Sequence, residues 1–189
     1  DQSMPEWLTK RWIHQFGPTQ AAALCKACNR IPPLSLLTNT LRTDRASLLE
    51  ALQPFAEQVR LSPYTPEGIL LDGLKGPLFS SDAFGNGWFQ VQDEAAQAVS
   101  HLLAPLPGHI VLDACAGLGG KTAHIAALMD NTGRIIATDH AAGKLHKLGQ
   151  EMMRLGIDIV STRASDLQKG EGPDPHESYD RVLLDAPCS

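Results

Sequence analysis

Four carboxylates and one glycine-rich turn carry the chemistry this sequence could do. Asp113, Asp139, Asp166 and Asp185 each stand at, or just after, the end of a run that reads as a short strand. The first run, Ile110-Val-Leu112, leads into Asp113-Ala-Cys-Ala-Gly-Leu-Gly-Gly-Lys-Thr122, and the pattern from Lys121 through His124, Ile125, Ala127 and Leu128 is helical. Strand, tight turn and helix make the first βα unit of an open α/β sheet, whose ligands bind outside the carboxyl ends of the strands. The glycines allow close approach of the backbone to a ligand, and the helix start offers free N–H groups. In a parallel sheet all four carboxylates fall along that one edge. Such a row repels a phosphate-rich ligand and suits a cationic one. Asp139, at the end of the second strand, can accept from both hydroxyls of a ribose.

S-adenosylmethionine, with its sulfonium, ammonium, ribose and adenine, matches this row. Two other ligands fit less well. A phosphate-binding P-loop needs Gly, four intervening residues, then Gly-Lys-[Ser/Thr], and the position of that first Gly holds Cys115. A dinucleotide fingerprint needs G-x-G-x-x-G, and Gly117, Gly119 and Gly120 are followed by Thr122 where the last glycine belongs. The glycines also exceed what a plain βα turn requires.

The elements that must position these groups follow along the chain. Trp7, Leu8, Trp12 and Phe16 recur at near-helical spacing and read as a core-facing stripe; a second helix covers Thr19 to Asn29. Cys25 and Cys28 are half a zinc pattern with no second pair, so no metal is expected. After Pro32-Pro33 an extended segment runs from Leu34 to Arg42. A helix over Ala46–Ala56 follows, capped by Asp44 or Thr43, then strands at Val59–Leu61 and Gly68–Leu71. Arg42 and Arg45 are candidates for phosphate contact, or for a solvated face. Leu78 to Gly87 reads as a linker, Trp88 to Val91 as extended, and Asp93 as the cap of a helix to Leu103. Beyond the glycine unit, Arg134–Thr138, Ile157–Val160 and Tyr179–Leu184 read as the remaining strands, with an amphipathic helix from Lys144 to Leu155 that stops at Gly156. The fold class is therefore α/β: the first four strands of a Rossmann-like domain over residues 85–189, preceded by a small α+β module and linker over residues 1–84.

Charge is unevenly spread. The formal total is −5; residues 1–84 hold eight basic and eight acidic side chains, and residues 85–189 hold eight and thirteen. Bulk charge thus does not mark a nucleic-acid binder, and any such contact must be local. No run is long and apolar enough for a membrane span, there is no signal-peptide pattern, and the four cysteines are scattered. A cytoplasmic monomer without membrane or metal partners is expected. The chain starts without Met and stops directly after a strand, which is expected of a piece of a longer protein, truncated at its C-terminus.

These motifs have a family resemblance. Asp113 to Thr122 resembles the D-x-C-A-x-P-G-G-K-T motif of the RNA cytosine-5 methyltransferases, and Asp185-Ala-Pro-Cys-Ser189 looks like their D-A-P-C-S motif. Trp88 to Asp93 is similar to the segment before their cofactor domain, and Trp7 through Thr43, more weakly, to their small RNA-binding module. The nearest branch is Sun/Fmu, which acts on 16S ribosomal RNA. Leu118 stands where the family has Pro, and Ser165-Asp166 where it has Gly-Asp. The resemblance implies that Cys115, Ala116, Gly117, Leu118, Gly119, Gly120 and Lys121 wrap the methionine part and ribose of S-adenosylmethionine. Asp139 would hold the ribose hydroxyls, Asp166 would lie beside the adenine, and Asp185 would touch both the cofactor side and the target cytosine.

Cytosine C5 is a weak nucleophile. A thiolate added at C6 makes an enamine whose C5 can take a methyl group; a base then removes the C5 proton and the thiol leaves. In the family the attacking Cys belongs to a later Thr-Cys motif that these 189 residues lack. Cys188 is therefore expected to assist product release, with Asp185 assisting the addition. The chain alone is expected to hold much of the cofactor site without turning over. The alternatives are a P-loop nucleotide-binding protein and a non-catalytic RNA-binding protein on a methyltransferase scaffold.

Overall fold

The computed structural model describes residues 3–172 and 177–186. The chain divides into two compact units, Asp1–Pro33 and Leu34–Ser189. The first is built on α1 (Glu6–Cys28), interrupted at Gly17, where φ is 79° and ψ 164°, with Pro18 restarting the helix. That break yields the two helices read from the sequence. The aromatic stripe is not the buried face. Trp7 is 66% and Phe16 43% exposed, whereas Ala21 and Cys25 are buried. The small side chains of the second half thus form the covered face.

Among its described residues the second unit contains two four-stranded sheets. The first comprises β1 (Leu34–Thr38), β2 (Ala56–Leu61), β3 (Gly68–Leu74) and β4 (Phe89–Val91), all antiparallel, in the order β2-β3-β1-β4. Between β1 and β2 lies α2 (Arg45–Leu52). Asp44 caps it by accepting from Ser47 N at 2.8 Å. Pro54 turns the chain into a 3₁₀ turn, Gln53–Phe55, so the helix stops short of the Ala56 end expected from periodicity. Leu36, Leu48, Leu52, Ile69, Leu71 and Phe89 form the core under this sheet. The segment read as a linker folds: a 3₁₀ turn (Leu78–Ser80) and α3 (Asp82–Gly85) send Leu78 and Ala83 into that same core.

The second sheet comprises β5 (Ile110–Asp113), β6 (Arg134–Asp139), β7 (Val160–Ala164) and β8 (Arg181–Leu183), all parallel, in the order β7-β6-β5-β8. The helices are α4 (Glu94–Leu103) before β5, α5 (Gly120–Leu128) after it, and α6 (Ala142–Leu155) after β6. The chain runs outward from β5 through β6 to β7, then crosses to β8 on β5's other side. The sheet thus reverses direction at β5, the place where open α/β sheets bind ligands. The third strand lies later than the apolar Ile157–Val160 suggested. Ile157 N donates to Met152 O, so Ile157 completes the end of α6 and joins the core beside Leu148 and Leu155. The strand proper, from Val160, carries Ser161, Thr162 and Arg163 because it is an exposed edge.

Polar side chains fasten the two sheets within this unit. Asn39 Nδ2 donates to Gly87 O at 2.8 Å and to Leu155 O at 2.9 Å, and Arg42 Nε donates to Leu155 O at 3.3 Å. Arg154 donates to Phe84 O at 2.7 Å and Phe89 O at 3.0 Å and lies over the Phe84 ring. Arg45 donates to Gly68 O and Ser62 O, both at 2.7 Å. Neither Arg42 nor Arg45 is therefore a simple solvated or phosphate-facing cation. Both satisfy backbone carbonyls.

Candidate functional site

The turn after β5 is held by its neighbours. Ala114 N donates to Leu183 O at 2.9 Å, and Ala116 N to Thr138 O at 2.8 Å, so β8 and β6 grip it from both sides. Gly119 precedes α5 in the left-handed region at φ 89°, and a Cβ there would lie 2.6 Å from Leu148 Cγ. Glycine is thus required both by conformation and by packing. Gly117, at φ 58°, has open space where a Cβ would stand, so its neighbourhood is free for a ligand.

Each acidic strand end has its own setting. Asp113 is 1% exposed and accepts from Thr122 Oγ1 at 2.7 Å. Burial pushes its carboxyl up to about 6, against the lowering pull of the Thr122 hydroxyl, the Cys115 N–H and Lys121. Asp139 accepts from Gly117 N at 3.1 Å and Ala141 N at 2.8 Å, which ties the end of β6 to the glycine turn. Lys144 Nζ is 3.8 Å from it. Asp185 lies 2.5 Å from Lys121 Nζ. Asp166 accepts from Gln168 N at 3.0 Å and sits 3.2 Å from Lys169 Nζ; the lysine and that N–H hold its carboxyl below the usual range. Three of the four acids thus have lysine partners, and the edge is less negative than the bare row of carboxylates suggests. The Cys115 thiol is pushed up by burial and by the carboxylates of Asp139, Asp113 and Asp185, so it is not an activated nucleophile.

A cleft of about 180 Å³ opens on this edge, lined by Gln92, Ala96, Asp113, Cys115, Ala116, Gly120, Lys121 and Asp185. Asp139 adjoins it through Gly117, whereas Asp166 caps its own turn at the edge strand and is not among the lining residues. Cys188 lies outside the described residues. Sequence reading missed Gln92 and Ala96 as part of this wall, together with Gln90, whose Nε2 donates to Gly120 O at 2.9 Å. Gln90 lies in β4, Gln92 in the turn after it and Ala96 in α4, and only the resemblance of Trp88 to Asp93 hinted at the two glutamines. Gln92 Oε1 is buried and has no hydrogen-bond partner among the described residues.

Fold and cleft together define a partial Rossmann-like core preceded by a small ferredoxin-like domain. The model of the 16S rRNA methyltransferase RsmB/F family matches residues 100–189, and that of the RsmF/B-like ferredoxin-like domain matches residues 4–75. The chain belongs to the RsmB/F methyltransferase family. It is 36% identical over 187 residues to a probable ribosomal RNA small subunit methyltransferase B of Synechocystis sp., covering 99% of this chain and 42% of that protein. It is 35% identical over 189 residues to a protein of the same name from Bacillus subtilis, covering 100% of this chain and again 42% of the relative. A solved methyltransferase homolog from Pyrococcus horikoshii superposes with a TM-score of 0.84 at 29% identity, covering 100% of this chain and 61% of that one. The chain thus spans about two fifths of the length of the curated relatives it matches.

Proposed function

We propose that the protein to which this chain belongs methylates ribosomal RNA of the small subunit, at C5 of a cytosine, with S-adenosylmethionine as donor. Residues 1–84 would contribute RNA contact and residues 85–189 the cofactor half of the catalytic domain. The observation that carries the reading is the pairing of Asp139 with the glycine turn, a carboxylate at the second strand end bonded to Gly117 N at 3.1 Å. In this reading that carboxylate would accept from the ligand's hydroxyls beside the open backbone at Gly117.

The residues present fit such a ligand. Gln92 Oε1 and Asp185 offer acceptors to a cationic group, and the space at Gly117 admits a ligand against the backbone. The bound cofactor would supply an electrophilic methyl group. Cys115 to Lys121 would follow its methionine part, Asp139 its ribose, and Asp166 its adenine side. Asp185, steered by Lys121, would face both cofactor and target base and help add a proton at cytosine N3. Cys188 would assist product release. The attacking thiolate would come from a Cys outside these 189 residues. Against the P-loop alternative, Lys121 is already paired with the Asp185 carboxylate, which would repel a phosphate brought to the same lysine.

Calorimetric titration of the full-length protein tests this. S-adenosylhomocysteine is expected to bind, Mg·ATP is not, and Asp139→Ala is expected to abolish binding. ATP binding alone would overturn the reading. Nucleoside mass spectrometry of 16S RNA treated with the protein and S-adenosylmethionine is expected to show 5-methylcytidine, and methylation at another position would remove the cytosine-5 assignment.

A further inference from the structure

Away from the glycine cleft, three side chains from three separate elements converge. Glu67 stands just before β3, His101 in the last turn of α4, and His124 in the middle of α5. His101 Nε2 lies 2.9 Å from Glu67 Oε2, and His124 Nε2 lies 3.8 Å from the same oxygen. One donor atom from each of the three falls within 4.8 Å of the others. The two imidazoles meet edge to face, with centroids 5.0 Å apart.

His124 is the unusual member. It is 1% exposed, and neither ring nitrogen has a hydrogen-bond partner among the described residues. Its 3.8 Å approach to Glu67 is beyond hydrogen-bond range. A buried imidazole kept for packing alone would still have its N–H satisfied, because leaving a buried polar group without a partner forfeits its hydration with nothing in return. Here Nε2 points at a carboxylate it does not reach, as a ligand does when a cation belongs between them.

We propose that Glu67, His101 and His124 bind one divalent transition-metal ion of the zinc type. In a tetrahedral site with bonds of about 2.0–2.1 Å, neighbouring ligand atoms stand about 3.3–3.5 Å apart. The observed separations of 2.9 and 3.8 Å straddle that value, so small side-chain shifts complete the geometry. Two imidazoles and one carboxylate favour zinc, cobalt or nickel over magnesium and calcium, which take oxygen ligands. The fourth position opens on the His101 side, where that side chain is 33% exposed. The ion ties the turn before β3 to α4 and α5, and α5 begins at the glycine turn. Its role is therefore to clamp the first sheet against the helices behind the cleft.

The test is titration of the chelator-treated full-length protein with Co²⁺, followed by visible d–d absorption, and with Zn²⁺ by calorimetry. One equivalent of each is expected to bind, with tetrahedral cobalt bands and a higher melting temperature. Glu67→Gln and His101→Gln keep size and hydrogen-bonding capacity, and their metal-free melting curves report whether they fold. Each is expected to weaken zinc binding at least about tenfold, as losses around a metal site do. Absence of cobalt bands in the parent protein would overturn the proposal. So would thiolate charge-transfer absorption, which would assign the metal to cysteines, or binding unchanged in a folded Glu67→Gln protein.

Discussion

In the first sheet every neighbouring pair of strands runs antiparallel, and in the second every pair runs parallel. Both contain four strands and bury aliphatic cores. Antiparallel pairing sends successive strand ends to opposite edges, and polar groups pair locally across neighbouring strands, as Arg60 of β2 and Asp72 of β3 do at 3.2 Å. Parallel pairing sends every carboxyl end to one edge, and that edge collects Asp113, Asp139, Asp185 and the glycine turn. Strand direction, more than composition, decides which sheet can build a cleft from residues far apart in sequence.

Substitutions in each sheet sharpen that division. The largest effect belongs to the first sheet. Leu48→Ala empties a fully buried site under it and is expected to cost about 2–5 kcal/mol in denaturant unfolding. Affinity for S-adenosylhomocysteine should be unchanged while the variant remains folded; a parallel loss of affinity would show that the two sheets do not divide the work. Gly119→Ala in the second sheet's turn should cost about 2–4 kcal/mol, from the left-handed backbone and the approach to Leu148. Unlike Leu48→Ala it should also remove ligand binding at temperatures where the protein is folded.

Asp113 gives the second sheet a pH signature of its own between about pH 4 and 6. Its folded carboxyl titrates near 6 and its unfolded one near 3.8. Between those values the folded state holds a proton that the unfolded chain has released, so this residue's contribution to stability falls as pH rises through that window and stays low above it. Asp113→Asn is expected to gain on the parent by up to about 3 kcal/mol above pH 6, with the advantage shrinking towards pH 4. Chemical unfolding at a series of pH values checks it, and a constant difference would refute the buried-carboxylate account. The smallest effect concerns Cys115. Because Asp139 helps push its thiol up, Asp139→Asn should speed its alkylation by iodoacetamide at neutral pH by a few-fold, read by peptide mass spectrometry.

The glycine unit was legible in the sequence because everything that forms it is contiguous: an apolar run, small residues, and a helix start. The succession of strands along the chain and the acids at their ends followed, whereas their order in the sheet came only from the structure. Local pattern misled where tertiary context decided otherwise. Ile157-Asp-Ile-Val160 alternates like a strand, but Ile157 is buried as the stop of α6, while the edge strand needs no apolar pattern. Leu78–Gly87 looks like a linker because its turn residues outnumber the two side chains, Leu78 and Ala83, that anchor it. Glu67, His101 and His124 share no motif spacing. Their single trace in the sequence is a histidine inside the otherwise apolar Ala123–Leu128 run.

The last turn of α6 ends on groups that belong to the other sheet. Its Leu155 carbonyl accepts from Asn39 and Arg42, Arg154 reaches back to Phe84 and Phe89, and a Cβ at Gly87 would stand 2.2 Å from Arg154 O. A helix end normally frays at little cost, and its amides exchange with solvent early. Here fraying would strip partners from β1 and β4 flanks at the same time. The amides of the final α6 turn should therefore exchange as slowly as those of the antiparallel sheet, opening with it in one cooperative step while the N-terminal turn of the same helix opens independently.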